Sequence, residues 1–116
     1  MTQPVGAYTP IVRAGDWLVT SGQIGIYEGE LVAGGFHGQL DQAIDNLETL
    51  LQSEGAELSQ IVKTTVFLRH MGDYELLNDT WTRRFSAPLP ARSAFAVSEL
   101  PMHALVEVEA WAYTGP

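Results

Sequence analysis

ALVEVEAWAY, residues 104–113, alternates without a break. Val106, Val108, Ala110 and Ala112 fall on one face of a strand; Leu105, Glu107, Glu109 and Trp111 fall on the other. The first set is small and apolar, as a face packed beneath helices requires. The second mixes two carboxylates with a leucine and a tryptophan, an odd composition for a strand face turned only to water. A sheet built on this strand therefore has one face for helices and a second that still presents apolar bulk.

The flanking sequence supplies the other strands and the helices. Residues 60–69, QIVKTTVFLR, are β-branched and apolar at both parities, as a central strand would be. Strand 92–97 follows Pro88 and Pro90. Gly15 and Asp16 make a turn pair that predicts a hairpin from residues 9–14 and 17–22. A further turn and short strand are predicted over 27–32, before Gly34 and Gly35 break the chain.

Leu40, Ala43, Ile44, Leu47, Leu50 and Leu51 recur at three and four residues, which predicts a helix from about 37 to 54, stopped by Gly55. A second helix is predicted after Gly72 and Asp73, with Tyr74, Leu77, Trp81 and Phe85 on its packed stripe. Arg83 and Arg84 fall in its last turn, where the helix dipole favours cations, so the only adjacent basic pair is explained without a ligand. The order is β-β-(β)-α-β-α-β-β in one domain, 1–116: an α+β layout with two helices on one face of a mixed sheet. The other face keeps Trp111 and Phe67 or Phe95, and self-association is expected to cover it.

Composition narrows the function classes. The 116 residues carry 6 Lys and Arg against 14 Asp and Glu, a net charge of −8 that repels phosphate. No nucleic-acid or anionic-membrane partner is expected. With no cysteine there is no disulfide, no thiolate metal site and no cysteine nucleophile. His37, His70 and His103 lack metal-motif spacing, and Ser21 sits in no nucleophile elbow. The first ten residues, MTQPVGAYTP, lack the basic and apolar regions of a signal peptide, so a soluble, cytoplasmic protein is expected.

The residues that remain are few. Arg92, in PARSAFAV (90–97), admits two readings: a strand-end ion pair with Glu99 or Glu107, or a carboxylate clamp, for which a planar guanidinium is suited. Glu107 and Glu109 are either a polar strand face or, at an interface that raises the pKa, a general base. Asn78 is a poor helix former in mid-helix and hints at a partner. Tyr8 is either a packing residue or part of a site lining. On residues alone, the reading is an acidic α+β oligomer with Arg92 and Glu107 on neighbouring strands, and no reaction assigned.

Several stretches together resemble one family. They are Gly6-Ala7-Tyr8-Thr9, Ser21-Gly22-Gln23-Ile24, Gly29-Glu30-Leu31-Val32, Gln39 to Asn46-Leu47, Val62 to Leu68, Asn78, Pro90-Ala91-Arg92-Ser93, Leu100-Pro101 and Val106 to Ala110. In this order, across nearly the whole chain, they resemble the RidA/YjgF/UK114 family of enamine/imine deaminases. The resemblance implies a chorismate-mutase-like fold, a homotrimer and clefts between subunits. It also implies hydrolysis of reactive enamines and imines, such as 2-aminoacrylate, to 2-keto acids and ammonia, without cofactor or metal. By position, Arg92 would hold the substrate carboxylate and Glu107 would position the attacking water. Tyr8 would line the cleft from a neighbouring subunit, and Ser21 and Asn78 would lie close to the pocket. Ala94 stands where many members have cysteine, and Pro10 removes a polar side chain and an N–H from the entrance. A non-catalytic trimer that binds small carboxylates, or a chaperone-like one, is the alternative implied by these departures. RNA cleavage, a label attached to some relatives, fits poorly with the acidic charge.

Overall fold

The computed structural model describes residues 6–116. The part of the signal-peptide reading that falls on residues 1–5 lies outside the described residues. Ile11–Ala14 (β1) and Trp17–Thr20 (β2) form the expected antiparallel hairpin. Ile26–Tyr27 (β3) and Glu30–Leu31 (β4) make a small hairpin of their own. There follow the helix Gly35–Gln52 (α1), the strand Ile61–Leu68 (β5), the helix Tyr74–Arg84 (α2), and the strands Ala91–Ala96 (β6) and Val106–Tyr113 (β7). The main sheet is ordered β1-β2-β7-β5-β6. Strands β5 and β6 run parallel, joined through α2, and the other pairings are antiparallel. This is the expected α+β layout, with two helices packed on a mixed sheet.

Helix α1 forms because its periodic residues share one core: Leu40, Ala43, Ile44, Leu47, Leu50 and Leu51 are all within 2% of full burial. It ends in a Schellman arrangement around Gly55. The Ala56 amide donates to Leu51 O at 2.9 Å, the Gly55 amide donates to Gln52 O at 3.1 Å, and Gly55 has a φ of 77° that favours glycine. Arg84, in the last turn of α2, reaches across to α1 and bonds Asp41 at 3.1 Å and Asp45 at 2.6 Å. It clips the two helices together, a structural role as its position implied.

Two details of α2 depart from its predicted stripe. Leu77 and Trp81 are buried, but Tyr74 is 39% exposed and Phe85 packs from just beyond the helix end. Asp73 takes the N-cap position without a side-chain capping bond.

The two faces of the sheet differ as the alternation in β7 requires. Val106, Val108, Ala110 and Ala112 are buried under the helices, together with Leu18, Val66 and Leu68. On the opposite face Trp17 packs edge-on against Trp111 at 6.2 Å and Tyr113 at 5.0 Å, and Phe67 packs edge-on against Phe95 at 5.4 Å. Trp17, Phe95 and Trp111 remain exposed there. Both phenylalanines therefore share the uncovered face with Trp111.

One irregularity sets the parity of the sheet. Ile61 lies opposite Ala112 and Lys63 opposite Trp111, so Val62 is an extra residue, a β-bulge in β5. Because of it, Ile61 and Thr64 both point into the core although they are an odd number of residues apart. No helix among the described residues is long and apolar enough to cross a membrane.

Candidate active site

Arg92 is the second residue of the edge strand β6 and lies level with Thr64 of β5. Thr64 is fully buried beneath the helices, so Arg92 projects to the helix-covered face as well. There its Nη2 donates to Asn78 Oδ1 at 2.7 Å and to the Tyr74 hydroxyl at 3.2 Å. Its guanidinium carbon stands 5.2 Å from the centre of the Trp81 ring and 5.4 Å from that of Tyr74, within cation–π range.

Tyr74, Asn78 and Trp81 are spaced four and three residues apart, hence on one face of α2. The crossover from β5 to β6 brings that face against the start of β6. This explains the mid-helix asparagine: its carbonyl oxygen fixes the guanidinium. Among the described residues Arg92 pairs with no carboxylate; the ion pairs are Arg13 with Glu54, and Arg84 with Asp41 and Asp45. The strand-end ion pair with Glu99 or Glu107 does not form. Ala94 follows on the same face, level with Val66 and packed against the core, and it offers only a methyl group.

Glu107 lies elsewhere. It sits level with Phe67 on β7, between the buried Val106 and Val108, and so projects to the aromatic face. Strand β5 separates β7 from β6, so Glu107 and Arg92 are not on neighbouring strands. They are also offset by three residues along β5, roughly 10 Å, and separated by two strand spacings, roughly another 10 Å. With the sheet between them as well, the two groups cannot meet one small molecule within a single protomer.

The surroundings of Glu107 come from the segment after β2. The Gln23 amide donates to Val108 O at 2.8 Å and the Val108 amide to Gln23 O at 2.9 Å. The Ala110 amide donates to Thr20 Oγ1 at 3.0 Å, and Gln23 Nε2 to Ser21 Oγ at 3.2 Å. These bonds stitch residues 20–23 onto β7 and put Gly22 directly under the Glu107 side chain. A Cβ at Gly22 would lie 2.7 Å from Glu107 Cδ and 2.9 Å from Cγ, closer than real contacts allow. Burial first, and then the nearby Glu109 carboxylate, hold the Glu107 carboxyl above the ordinary glutamate range. A carboxyl in that state can exchange protons nearer neutral pH than a solvated one.

Tyr8 is exposed and precedes β1, at the edge of the sheet opposite β6. The structure thus brings Arg92 against Asn78, with Ala94 on the same face of β6, puts Gly22 against Glu107 while Ser21 bonds Gln23, and leaves Tyr8 apart from Arg92. His37 bonds the Thr80 hydroxyl through Nδ1 at 2.7 Å, and no group of three potential metal ligands occurs among the described residues. Sequence reasoning missed Tyr74, Trp81, Gly22 and Gln23. The spacing of Tyr74 and Trp81 about Asn78 is the available signal, but an aromatic stripe at helical spacing reads equally as core.

A sequence model of the family described as Endoribonuclease L-PSP matches residues 1–114. A protein of Dermatophagoides farinae named 2-iminobutanoate/2-iminopropanoate deaminase is 38% identical over 109 residues, spanning 92% of this chain and 85% of the relative. A Mus musculus protein of the same name is 38% identical over 114 residues, spanning 97% and 84%. The crystal structure of RidA from an Antarctic Psychrobacter superposes with a TM-score of 0.92 at 34% identity, over 96% of this chain and 91% of that one. Matches over more than nine-tenths of this chain at this identity, on the same fold, leave one assignment: the chain belongs to the Endoribonuclease L-PSP family, the RidA/YjgF proteins.

Proposed function

We propose that this protein is a hydrolytic deaminase of small enamines and imines derived from amino acids, releasing 2-keto acids and ammonia. The observation that carries the reading is Arg92, pinned by Asn78 and flanked by Trp81, with Nε and Nη1 engaged by no protein acceptor among the described residues. A pinned cation with donors to spare suits a carboxylate. The names of the relatives supply the rest of that molecule, a carbon–nitrogen double bond beside the carboxylate.

In the proposed reaction, water adds to the imine carbon while Glu107 accepts a water proton. Glu107 then passes that proton to the nitrogen to complete the carbinolamine, whose C–N bond breaks as the hydroxyl proton also moves to nitrogen, leaving the carbonyl and ammonia. An imine carbon is already electrophilic, so orientation of water and carboxylate supplies much of the rate. No metal or cofactor enters the proposed reaction.

Because Arg92 and Glu107 face opposite ways, the proposed site is shared between copies, in a homotrimer with Tyr8 contributed across the cleft. The exposed aromatic face of the sheet supports such self-association. The cysteine-free sequence suits a reducing, cytoplasmic location. Ribonuclease activity, which the family description names, is not proposed: at a net charge of −8, three of the six basic residues are tied to Glu54, to Asp41 and Asp45, and to Asn78.

The test is to add the protein to freshly generated 2-aminoacrylate and follow ammonia and keto-acid release. Acceleration that Arg92→Ala abolishes supports the reading. No acceleration on a panel of imino acids, with saturable keto-acid binding, would replace it with a carboxylate-binding module.

A further inference from the structure

We infer that Tyr74 is a second carboxylate-binding group, acting with Arg92; the inference rests on the deaminase reading of that site. A guanidinium has two forks able to grip a carboxylate with paired N–H groups, and both include Nη2. In Arg92, Nη2 carries two hydrogens and meets two protein acceptors, Asn78 Oδ1 at 2.7 Å and the Tyr74 oxygen at 3.2 Å. Neither fork is open in full, although Nε and Nη1 keep their hydrogens. A carboxylate arriving at Arg92 finds single N–H donors, not a ready pair.

The Tyr74 hydroxyl supplies the missing partner. A phenol is donor and acceptor at once. Its oxygen accepts from the guanidinium, so its own hydrogen points away from the cation, and no acceptor among the described residues takes it. The side chain is 39% exposed, so that hydrogen is within reach of a ligand. The Arg92 N–H and the Tyr74 O–H then form a mixed fork, and the chain from cation through phenol to carboxylate polarises each bond in turn. Trp81, only 3% exposed, backs the guanidinium and prevents its rotation toward a different fork. The ligand class is a 2-imino or 2-oxo carboxylate, and Tyr74 reads the carboxylate, not the nitrogen.

Tyr74→Phe tests this, since it keeps the ring over Arg92 and deletes only the donor. Pyruvate, the keto acid formed from 2-iminopropanoate, serves as the calorimetric probe. The expected result is that pyruvate Kd and deaminase KM rise about tenfold while kcat holds, as loss of one ligand hydrogen bond implies. Inhibition by the neutral amide of pyruvate should not change. An unaltered or lower Kd and KM in Tyr74→Phe overturns the inference, because freeing Nη2 would then have improved the clamp. Active wild-type protein with inactive Arg92→Ala and unaffected Tyr74→Phe removes Tyr74 alone. Wild-type protein that neither binds pyruvate nor turns over imines overturns the deaminase reading as well. Matching melting temperatures confirm that Tyr74→Phe is folded.

Discussion

Arg92 and Glu107 occupy opposite faces of one sheet, with β5 between their strands. Neither helices nor loops could bring them together without breaking the register of three strands. Two half-sites on one rigid element are useful only if a second copy presents the complementary half.

That arrangement predicts complementation. Arg92→Ala and Glu107→Gln should each be inactive, yet co-refolding an equal mixture should restore activity. If subunits assort at random and each site takes one group from each of two copies, about a quarter of sites carry both native groups. Deaminase activity of the mixture against each variant alone is the measurement, and a silent mixture would place both groups in one chain.

Gly22→Ala should disable Glu107 without unfolding the chain. The added Cβ enters the space of the carboxylate, the mobile end of a side chain, so the carboxylate moves while the backbone stays. Displacing a positioned group by an ångström costs on the order of 100-fold in rate. Expected, therefore, is a large fall in kcat beside a small change in melting temperature.

The raised Glu107 pKa gives two pH dependences. The base form should be lost at a higher pH than for an ordinary glutamate, so kcat/KM falls early on the acid side. For stability the sign is opposite to the common carboxylate case. Folding raises this pKa, so the folded state holds the proton more tightly. The stability it contributes is present below the ordinary glutamate pKa and is lost as pH rises through the raised value. Glu107→Gln should thus raise the melting temperature at neutral pH, by an amount that shrinks toward acid. A gain independent of pH would contradict this.

Trp111→Asp should separate the copies. It places a charge among Trp17, Tyr113 and the strand neighbours on the exposed aromatic face, where self-association is proposed. Sedimentation should show a smaller species and the assay a loss of turnover, with the helix-side core unchanged by circular dichroism.

Much of this fold could be read in the chain because period and burial agree. The alternation of β7, the leucine spacing of α1 and the stop at Gly55 each have one satisfactory solution. The site was legible only as residue types. Arg92 and Asn78 stood out as local misfits, and their contact explains both. Tyr74 escaped because a tyrosine at helical spacing from Leu77 and Trp81 satisfies the same pattern whether it packs or faces a guanidinium. Gly22 escaped because its reason lies in a strand 85 positions later, which no local pattern encodes. The placing of Glu107 on a strand next to Arg92 failed for a topological reason: β5, earlier in the chain, inserts between two strands that follow each other in sequence.

The bulge at Val62 bears on how a chain like this tolerates insertions and deletions. The Val62 side chain is exposed, and its chemistry is open to substitution. Its presence is equally dispensable to the alternation. Without that position Ile61, Lys63 and Thr64 alternate core, far face, core, whereas straightening the bulge with Val62 kept would turn Ile61 out of the core. The bulge thus absorbs a one-residue change in length while every neighbour keeps its face.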